Sequence, residues 1–272
     1  MSRKAGNPPI KDLKDVLIQF KAGRVSIDDA ERMLKGEMMK EIEQVANLDL
    51  FREARTGIPE IVFAESKSVQ DLETIINHFL DGKGFAIISR LTAEQIDAIK
   101  ASFPDTLDLK ERARMAVIRG KDCPCPPPGA GVVGIITAGT SDIPIAEEAA
   151  TMCELMGCQV ERFNDVGIAG IHRVFPPMKA MIDRDVDVII VCAGMEGALP
   201  AVVASLTDRL VIGVPISTGY GFGGKGETAL RSMLQSCAPG LVTVNIDNGI
   251  GAGAAAALVA RRIGKLRESI GQ

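Results

Sequence analysis

Five stretches of this sequence carry residues whose types and settings suit chemistry. Cys237 stands in "LRSMLQSCAPGLVTVNID", between a helix-like run that stops at Ala-Pro-Gly and an apolar strand-like run. Its thiol reads either as packing or as a nucleophile. A helix C-terminus disfavours negative charge, and a place before a strand is the amino end of that strand, so position alone argues against catalysis. Glu196 lies in "AGMEGALP". An apolar, glycine-rich setting suits a carboxyl to general-base work; pairing with the dipole of a helix first turn is the plainer role. Gly194 and Gly197 beside it let backbone approach a ligand closely. Thr140, Ser141 and Asp142 in "AGTSDIP" put short polar groups at a helix start, where free N–H groups favour phosphate. One of them alone would read as an N-cap. His172 and Arg173 in "GIHRVF" offer a proton shuttle and a bidentate clamp for carboxylate or phosphate. Lys225 in "STGYGFGGKGE" sits among five glycines, the composition of a mobile flap over phosphate, or is a solvated surface lysine.

The elements that must position these residues follow a regular pattern. From "GVVGIITAG" onward, apolar strand-like runs alternate with helical ones: a helix over 143–156, "CQVERF", a helix over 171–183, "VDVIIVCAG", a helix over 199–207, "LVIGVPIS", "ETALRSMLQS", "LVTVNID" and "AGAAAALVARRIG". This predicts a doubly wound α/β domain with a five-stranded parallel sheet. Ligands then bind beyond the carboxyl ends of the strands. The loops there are "AGTSDIP", "NDVGIAGIHR", "AGMEGALP", "STGYGFGGKGE" and "NIDNGIGAG", and every one is glycine-rich. Neither Walker A spacing nor a G-x-G-x-x-G after the first strand is present, which argues against an NTPase or a Rossmann dinucleotide site.

Before this domain, "KDCPCPPPGAG" reads as an extended linker, dividing the chain into 1–125 and 126–272. Cys123 and Cys125 form a C-x-C pair, but no second pair at ligand spacing completes a zinc site. The first part reads as a helical arm followed by a smaller N-terminal α/β domain. "PIKDLKDVLIQFKAG" and "SIDDAERMLKG" are helical, the second with a Ser26 cap and Asp29 three residues on. A further helix is expected from about Glu37 to Arg55, then "EIVFAE" and "FAIISR" as strands among helices that include "ETIINHFL", where His78 reads as structural.

Composition bounds the function. The 272 residues carry a net charge of −4, 4% aromatic residues and no Trp. This gives no general attraction to nucleic acid or anionic membrane and no stacking platform for single strands. No apolar run is long enough to span a bilayer, and "MSRKAGNPPIKDLKD" lacks a signal-peptide core, so a cytoplasmic location is expected.

Several of these segments resemble known families. "GTSDIP", "GIHR", "VIIVCAGMEGALPAVVASLTDRLVIGVPIS" and the Ala-rich final helix are similar to aminoimidazole ribonucleotide carboxylases of the PurE type, with a flavodoxin-like fold. The closer resemblance is to the LarB family of nickel-pincer nucleotide biosynthesis, through "GTSDIP", "DVGIAGIHR", "AGMEGALP", "STGYG", "CAPG" and "VNIDNGIGAG", from Gly139 to Gly253. "REARTGIPEIVFAESKS" is similar to that family's first domain.

The LarB resemblance implies carboxylation of the pyridinium ring of nicotinic acid adenine dinucleotide by carbon dioxide, and cleavage of its phosphoanhydride with release of AMP. It implies Cys237 as nucleophile, Glu196 as base or acid, and Ser141 and Asp142 at the phosphoribosyl end. The "GIHR" loop departs from the PurE pattern, so no proton-donor role carries over to His172. Magnesium is implied without assignable ligands. A homo-oligomer, an octamer by the PurE resemblance, is implied as well, with the alanines of the last helix suited to close packing in it. Two other readings stay open: a purine-pathway carboxylase acting on aminoimidazole ribonucleotide, for which Cys237 is surplus, and a non-catalytic nucleotide-binding protein.

Overall fold

The computed structural model describes residues 13–35, 39–42, 46–49, 52–120, 123, 129 and 131–270. The chain divides into two compact units, Met1–Pro124 and Cys125–Gln272. Residues 124–128, which hold Cys125 and most of the proline run, lie outside the described residues.

In the first unit, α1 (Leu13–Lys21) and α2 (Ile27–Lys35) form the helical arm, and Ser26 Oγ accepts from Asp29 N–H at 3.1 Å to start α2. The helix expected from Glu37 to Arg55 is not what forms. β1 (Met39–Ile42) and β2 (Ala46–Asp49) pair as an antiparallel hairpin, and only α3 (Arg52–Thr56) is helical. Asn47 and Asp49 are weak helix formers, and the preceding Met, Lys and Glu residues carry only a weak propensity that strand pairing overrides. The remaining elements are β3 (Val62–Phe63), α4 (Val69–Lys83), β4 (Phe85–Ser89), α5 (Ala93–Ser102), β5 (Leu107–Lys110) and β6 (Met115–Arg119). Their mixed sheet runs β3-β4-β6-β5. Leu72, Ile75, Ile76 and Phe79 of α4, at helical spacing, share a core with Ile88 and Ile118 of the sheet. Ser68 caps α4 and Gly84 ends it at φ 80°.

The second unit alternates as β7 (Val132–Thr137), α6 (Ile143–Leu155), β8 (Gln159–Phe163), α7 (Phe175–Asp183), β9 (Val188–Ala193), α8 (Leu199–Ala204), β10 (Leu210–Pro215), α9 (Glu227–Leu234), β11 (Leu241–Thr243) and α10 (Gly249–Ile270). Its five strands are all parallel, in the order β8-β7-β9-β10-β11. Composition explains the order. β9, "VIIVCA", is buried at every residue and takes the centre. β8 carries Glu161 and Arg162, keeps exposed positions and lies at an edge, where charge discourages further pairing.

The order reverses between β7 and β9. The crevice beyond their carboxyl ends is the topological switch point, where open sheets of this flavodoxin-like kind bind ligands. α10 lies backbone-to-backbone on α6: a side chain at Gly249 would collide with the Ile145 carbonyl, and one at Gly253 with the Ala149 carbonyl. Ala252, Ala256, Ala257 and Ala260 of α10 are fully buried. Those four alanines pack within the subunit, while Ala255, Leu258 and Val259 of the same helix are exposed.

Candidate active site

Thr137, the last residue of β7, ties two of the site loops together. Its hydroxyl accepts from Asp165 N–H at 3.1 Å and lies 3.3 Å from Asn164 Oδ1, while its carbonyl accepts from Val166 N–H at 2.9 Å. This holds the loop after β8 against the end of β7. Beyond Thr137 the chain turns into a short 3₁₀ segment, Thr140–Asp142, leading into α6. Asp142 is 3% exposed, and its Oδ2 accepts from Gly139 N–H at 2.7 Å. Burial pushes its carboxyl above the ordinary range, opposed by the N–H groups of Gly139 and Ala138. Thr140 and Ser141 are exposed at the crevice. Of the three polar residues expected to face a phosphate, two are free to do so and one is turned inward.

The loop after β8 carries a second 3₁₀ segment, Ile168–Val174, bent at Gly170. His172 and Arg173 are both exposed, and Arg173 Nη1 lies 3.4 Å from Asp165 Oδ2. A Cβ at Gly170 would come within 3.1 Å of Arg173 Nε and 3.2 Å of His172 Cε1, so glycine leaves both side chains room.

After β9, Met195 (φ 51°) and Gly197 (φ 62°) make a left-handed turn closed by Gly197 N–H donating to Gly194 O at 2.9 Å. An added Cβ at Gly194 would lie 2.5 Å from the Thr218 carbonyl oxygen, and one at Gly197 2.7 Å from Ala229 Cα. The turn is thus wedged between the next loop and α9, and Glu196 is carried outward on it. Glu196 is exposed. The apolar enclosure expected around its carboxyl is absent within one subunit, because the tight turn buries its neighbours' backbone rather than its own side chain.

The loops after β10 and β11 are laced together in turn. Ser217 N–H donates to Asp247 Oδ1 at 2.8 Å, and Asp247 N–H donates to Pro215 O at 2.9 Å. Lys225 is exposed with φ 61°, directly before Gly226 at φ 80°. Asn248 Oδ1 accepts from Gly251 N–H at 2.9 Å and starts α10. Asn164, Asp165 and Asp247 are positioning residues that the motif reading passed over. Their signal was their place at strand ends within the same glycine-rich loops.

Cys237 is elsewhere. It is exposed between the end of α9 and the start of β11, at the amino edge of the sheet. Leu241 is in register with Val211 and Val211 with Ile189, whereas β9 continues to Ala193. Four residues at about 3.3 Å each put the strand ends roughly 13 Å apart along the sheet. Glu196 lies beyond one end and Cys237 before the other. Cys153, Cys158 and Cys192 are buried, and burial pushes all three thiols up, that of Cys158 to about 11. Cys237 is the exposed thiol of this unit among the described residues. Cys123 is half-buried, and among the described residues no three His, Cys, Asp or Glu side chains come together as a metal cage.

A parallel sheet of this order, with its polar loops at the switch point, is the architecture of the AIR carboxylase class. Residues 132–271 match the AIR carboxylase family, and residues 39–121 match the LarB/PurE-like N-terminal domain. The chain belongs to the LarB family with a PurE-like second domain. An uncharacterized protein of Methanocaldococcus jannaschii is 44% identical over 255 residues, covering 92% of this chain and 98% of its own length. The N5-carboxyaminoimidazole ribonucleotide mutases of Thermotoga maritima and Pyrococcus horikoshii are 37% and 38% identical, over 47% and 48% of this chain and 73% and 71% of theirs. Among the described residues, no helix is long and apolar enough to cross a membrane.

Proposed function

We propose that this chain carboxylates the pyridinium ring of nicotinic acid adenine dinucleotide with carbon dioxide, and hydrolyses the phosphoanhydride to release AMP. The observation that carries this reading is the pairing of a LarB/PurE-like N-terminal domain, over residues 39–121, with the AIR carboxylase domain. The mutases match less than half of this chain, so the first unit has no counterpart in that likeness.

The chemistry gives each residue a task. A pyridinium ring is electron-poor and does not attack carbon dioxide. The Cys237 thiolate adds to the ring carbon para to nitrogen, forming a C–S bond and placing two electrons in the ring. The adjacent unsubstituted carbon is now the nucleophilic end of an enamine and forms a C–C bond to carbon dioxide, leaving an iminium. Glu196 takes the proton from that carbon and passes it to solvent, restoring the enamine. The nitrogen lone pair then expels the thiolate, and the aromatic ring returns with one more carboxylate. Thr140, Ser141 and the α6 N-terminus suit the phosphoribosyl end, with Asp142 held behind them. His172, Arg173 and Lys225 supply charge for the second phosphate and the ring carboxylate.

Cys237 and Glu196 lie at opposite ends of the strands in one subunit. The reaction therefore takes Cys237 of the partner subunit to the carboxyl edge, and a homo-oligomer is part of the proposal, as is a cytoplasmic setting. Magnesium draws most of its ligands from phosphate and water. The described residues offer it no three-residue cage.

The test is a product assay. The protein is incubated with nicotinic acid adenine dinucleotide, bicarbonate and magnesium, and the products are weighed by mass spectrometry. A mononucleotide carrying one added carboxyl, together with AMP, is the expected result. Turnover of aminoimidazole ribonucleotide instead would replace this reading with the purine-pathway one, which the mutase relatives support.

A further inference from the structure

The geometry points to the loop joining β10 to α9 as a lid that clasps a ring: Tyr220 and Phe222 stack on the flat, electron-poor heteroaromatic ring of a ligand held at the carboxyl edge. The inference rests on the proposed function and names the residues that recognise the ring. Phe222 is the most exposed large apolar side chain among the described residues, at 107%, and Tyr220 is 82% exposed. Two rings offered to water two positions apart are apolar surface that a flat ligand can cover.

The loop is fixed at its ends and free at its tip. At one root, Ile216 N–H donates to Ala193 O at 3.1 Å and Ser217 is bonded to Asp247. Thr218 abuts Gly194, and Gly219 has Met195 Sδ 3.4 Å from where its Cβ would lie, so this root touches the turn that carries Glu196. At the other root, Gly223 packs on Thr228 and Gly226 on Ile216 and Ile246, which leaves Tyr220–Phe222 as the tip. Between them Gly221, at φ 80°, has nothing within 4 Å of a Cβ position. Anchored roots around an unpacked glycine tip make a hinged flap, and its first root is next to Glu196.

The ring chemistry fits. A pyridinium is a cation, and the faces of Tyr and Phe attract cations and stack on electron-poor rings. Closing the flap also excludes water from a carbon that must meet carbon dioxide rather than a proton. Lys225 follows the two rings, where it can meet the phosphate joined to the same nucleoside.

This chain carries its own probe. Tyr220 is the single tyrosine and there is no tryptophan, so the protein's long-wavelength ultraviolet emission comes from this loop alone. Titration of the full chain with nicotinic acid adenine dinucleotide should quench that emission saturably, with the midpoint that calorimetry gives for binding. Ribose 5-phosphate, which has no ring, should bind without quenching. Tyr220→Ala and Phe222→Ala should each weaken the dinucleotide roughly 5- to 150-fold and leave ribose 5-phosphate unchanged, with Tyr220→Phe restoring affinity. Binding seen by calorimetry without quenching, or equal losses for both ligands, overturns the lid while leaving the proposed reaction standing. A quench that tracks protein concentration instead of ligand assigns the rings to contact between copies and overturns the lid likewise. Absence of dinucleotide binding by calorimetry overturns the functional reading and the lid with it.

Discussion

The two ends of the parallel sheet are built by different rules. At the amino end, charge meets charge. Asp187 is 5% exposed, accepts from Val132 N–H at 2.8 Å and meets Arg267 at 2.7 Å. Asp185 takes Arg209 and Arg267, each at 2.9 Å. These pairs tie α10 and the approach to β10 onto the start of β9. At the carboxyl end the buried or half-buried carboxylates hold backbone N–H groups, Asp142 that of Gly139 and Asp247 that of Ser217, and the ion pair of Arg173 with Asp165 is exposed and long, at 3.4 Å. Thr140, Ser141, His172, Glu196 and Lys225 are left facing water. Four non-glycine residues of those loops, Asp165, Met195, Lys225 and Asp247, have positive φ, against one, Asp185, among the described residues at the amino end. One end commits its polar groups to the fold; the other bends its backbone to keep them available, which is where strain and function collect. Cys237 breaks this division, as an exposed thiol at the structural end.

The largest expected effects come from that exception. Cys237→Ser should lower carboxylation by at least about a thousand-fold, as loss of a nucleophile does, with dinucleotide binding and melting temperature unchanged. Retained product formation would return the amino end to a purely structural role. Glu196→Gln should follow, with a loss of roughly 10² to 10⁴ in turnover and no change in folding, since the side chain is exposed. Subunit exchange between the two inactive variants then sharpens the comparison. Activity should reappear in mixed oligomers, because some sites pair an intact Cys237 with an intact Glu196 from another copy. If mixing restores nothing, the two residues do not meet across subunits.

At the amino end the expected change is in stability alone. Asp187→Ala removes a buried acceptor from Val132 N–H and a partner from Arg267, and should cost about 2–3 kcal/mol, or roughly 5–10 °C in melting temperature. Activity per folded molecule should stay at the parent level. Arg267→Ala should cost less, since that side chain is 40% exposed and its pairs are screened by solvent. A turnover defect in Asp187→Ala would mean that the two ends are coupled.

The alternating part of this plan was legible because burial writes directly into composition. β9 is apolar throughout and β7 is apolar up to Thr137, since both faces are covered, and the helices between them carry proline in their first turn. The hairpin Met39–Ile42 with Ala46–Asp49 was not legible, because its residues have no alternating pattern and only pairing defines it. The candidate loops were visible as glycine clusters, but their wiring was not. Thr137 and Asp165 are 28 positions apart, Ser217 and Asp247 are 30 apart, and only the crossover connections of the parallel sheet bring each pair together. The same holds for Cys237: its place before β11 could be read, but the copy whose Glu196 it would serve lies outside any one chain.

The smallest expected effect tests how far the carboxyl end gives up stability for its site. Burial raises the Asp142 carboxyl above its usual 3.8, against the pull of the Gly139 and Ala138 N–H groups. For an acid raised in the folded state, the folded form is favoured most where the group is protonated, and that advantage is lost as pH rises through the folded-state value. Asp142→Asn keeps an oxygen for the Gly139 N–H and removes the buried charge. Its melting temperature should match the parent below pH 3.8 and exceed it at neutral pH. Affinity for the nucleotide should fall roughly three- to ten-fold, because a carboxylate holds the Gly139 N–H, and with it the turn that presents Thr140 and Ser141, more firmly than an amide does. A gain in stability with affinity unchanged would make Asp142 a cap and nothing more. A gain in stability with weaker binding would show a carboxylate kept at the switch point for the loop it orders.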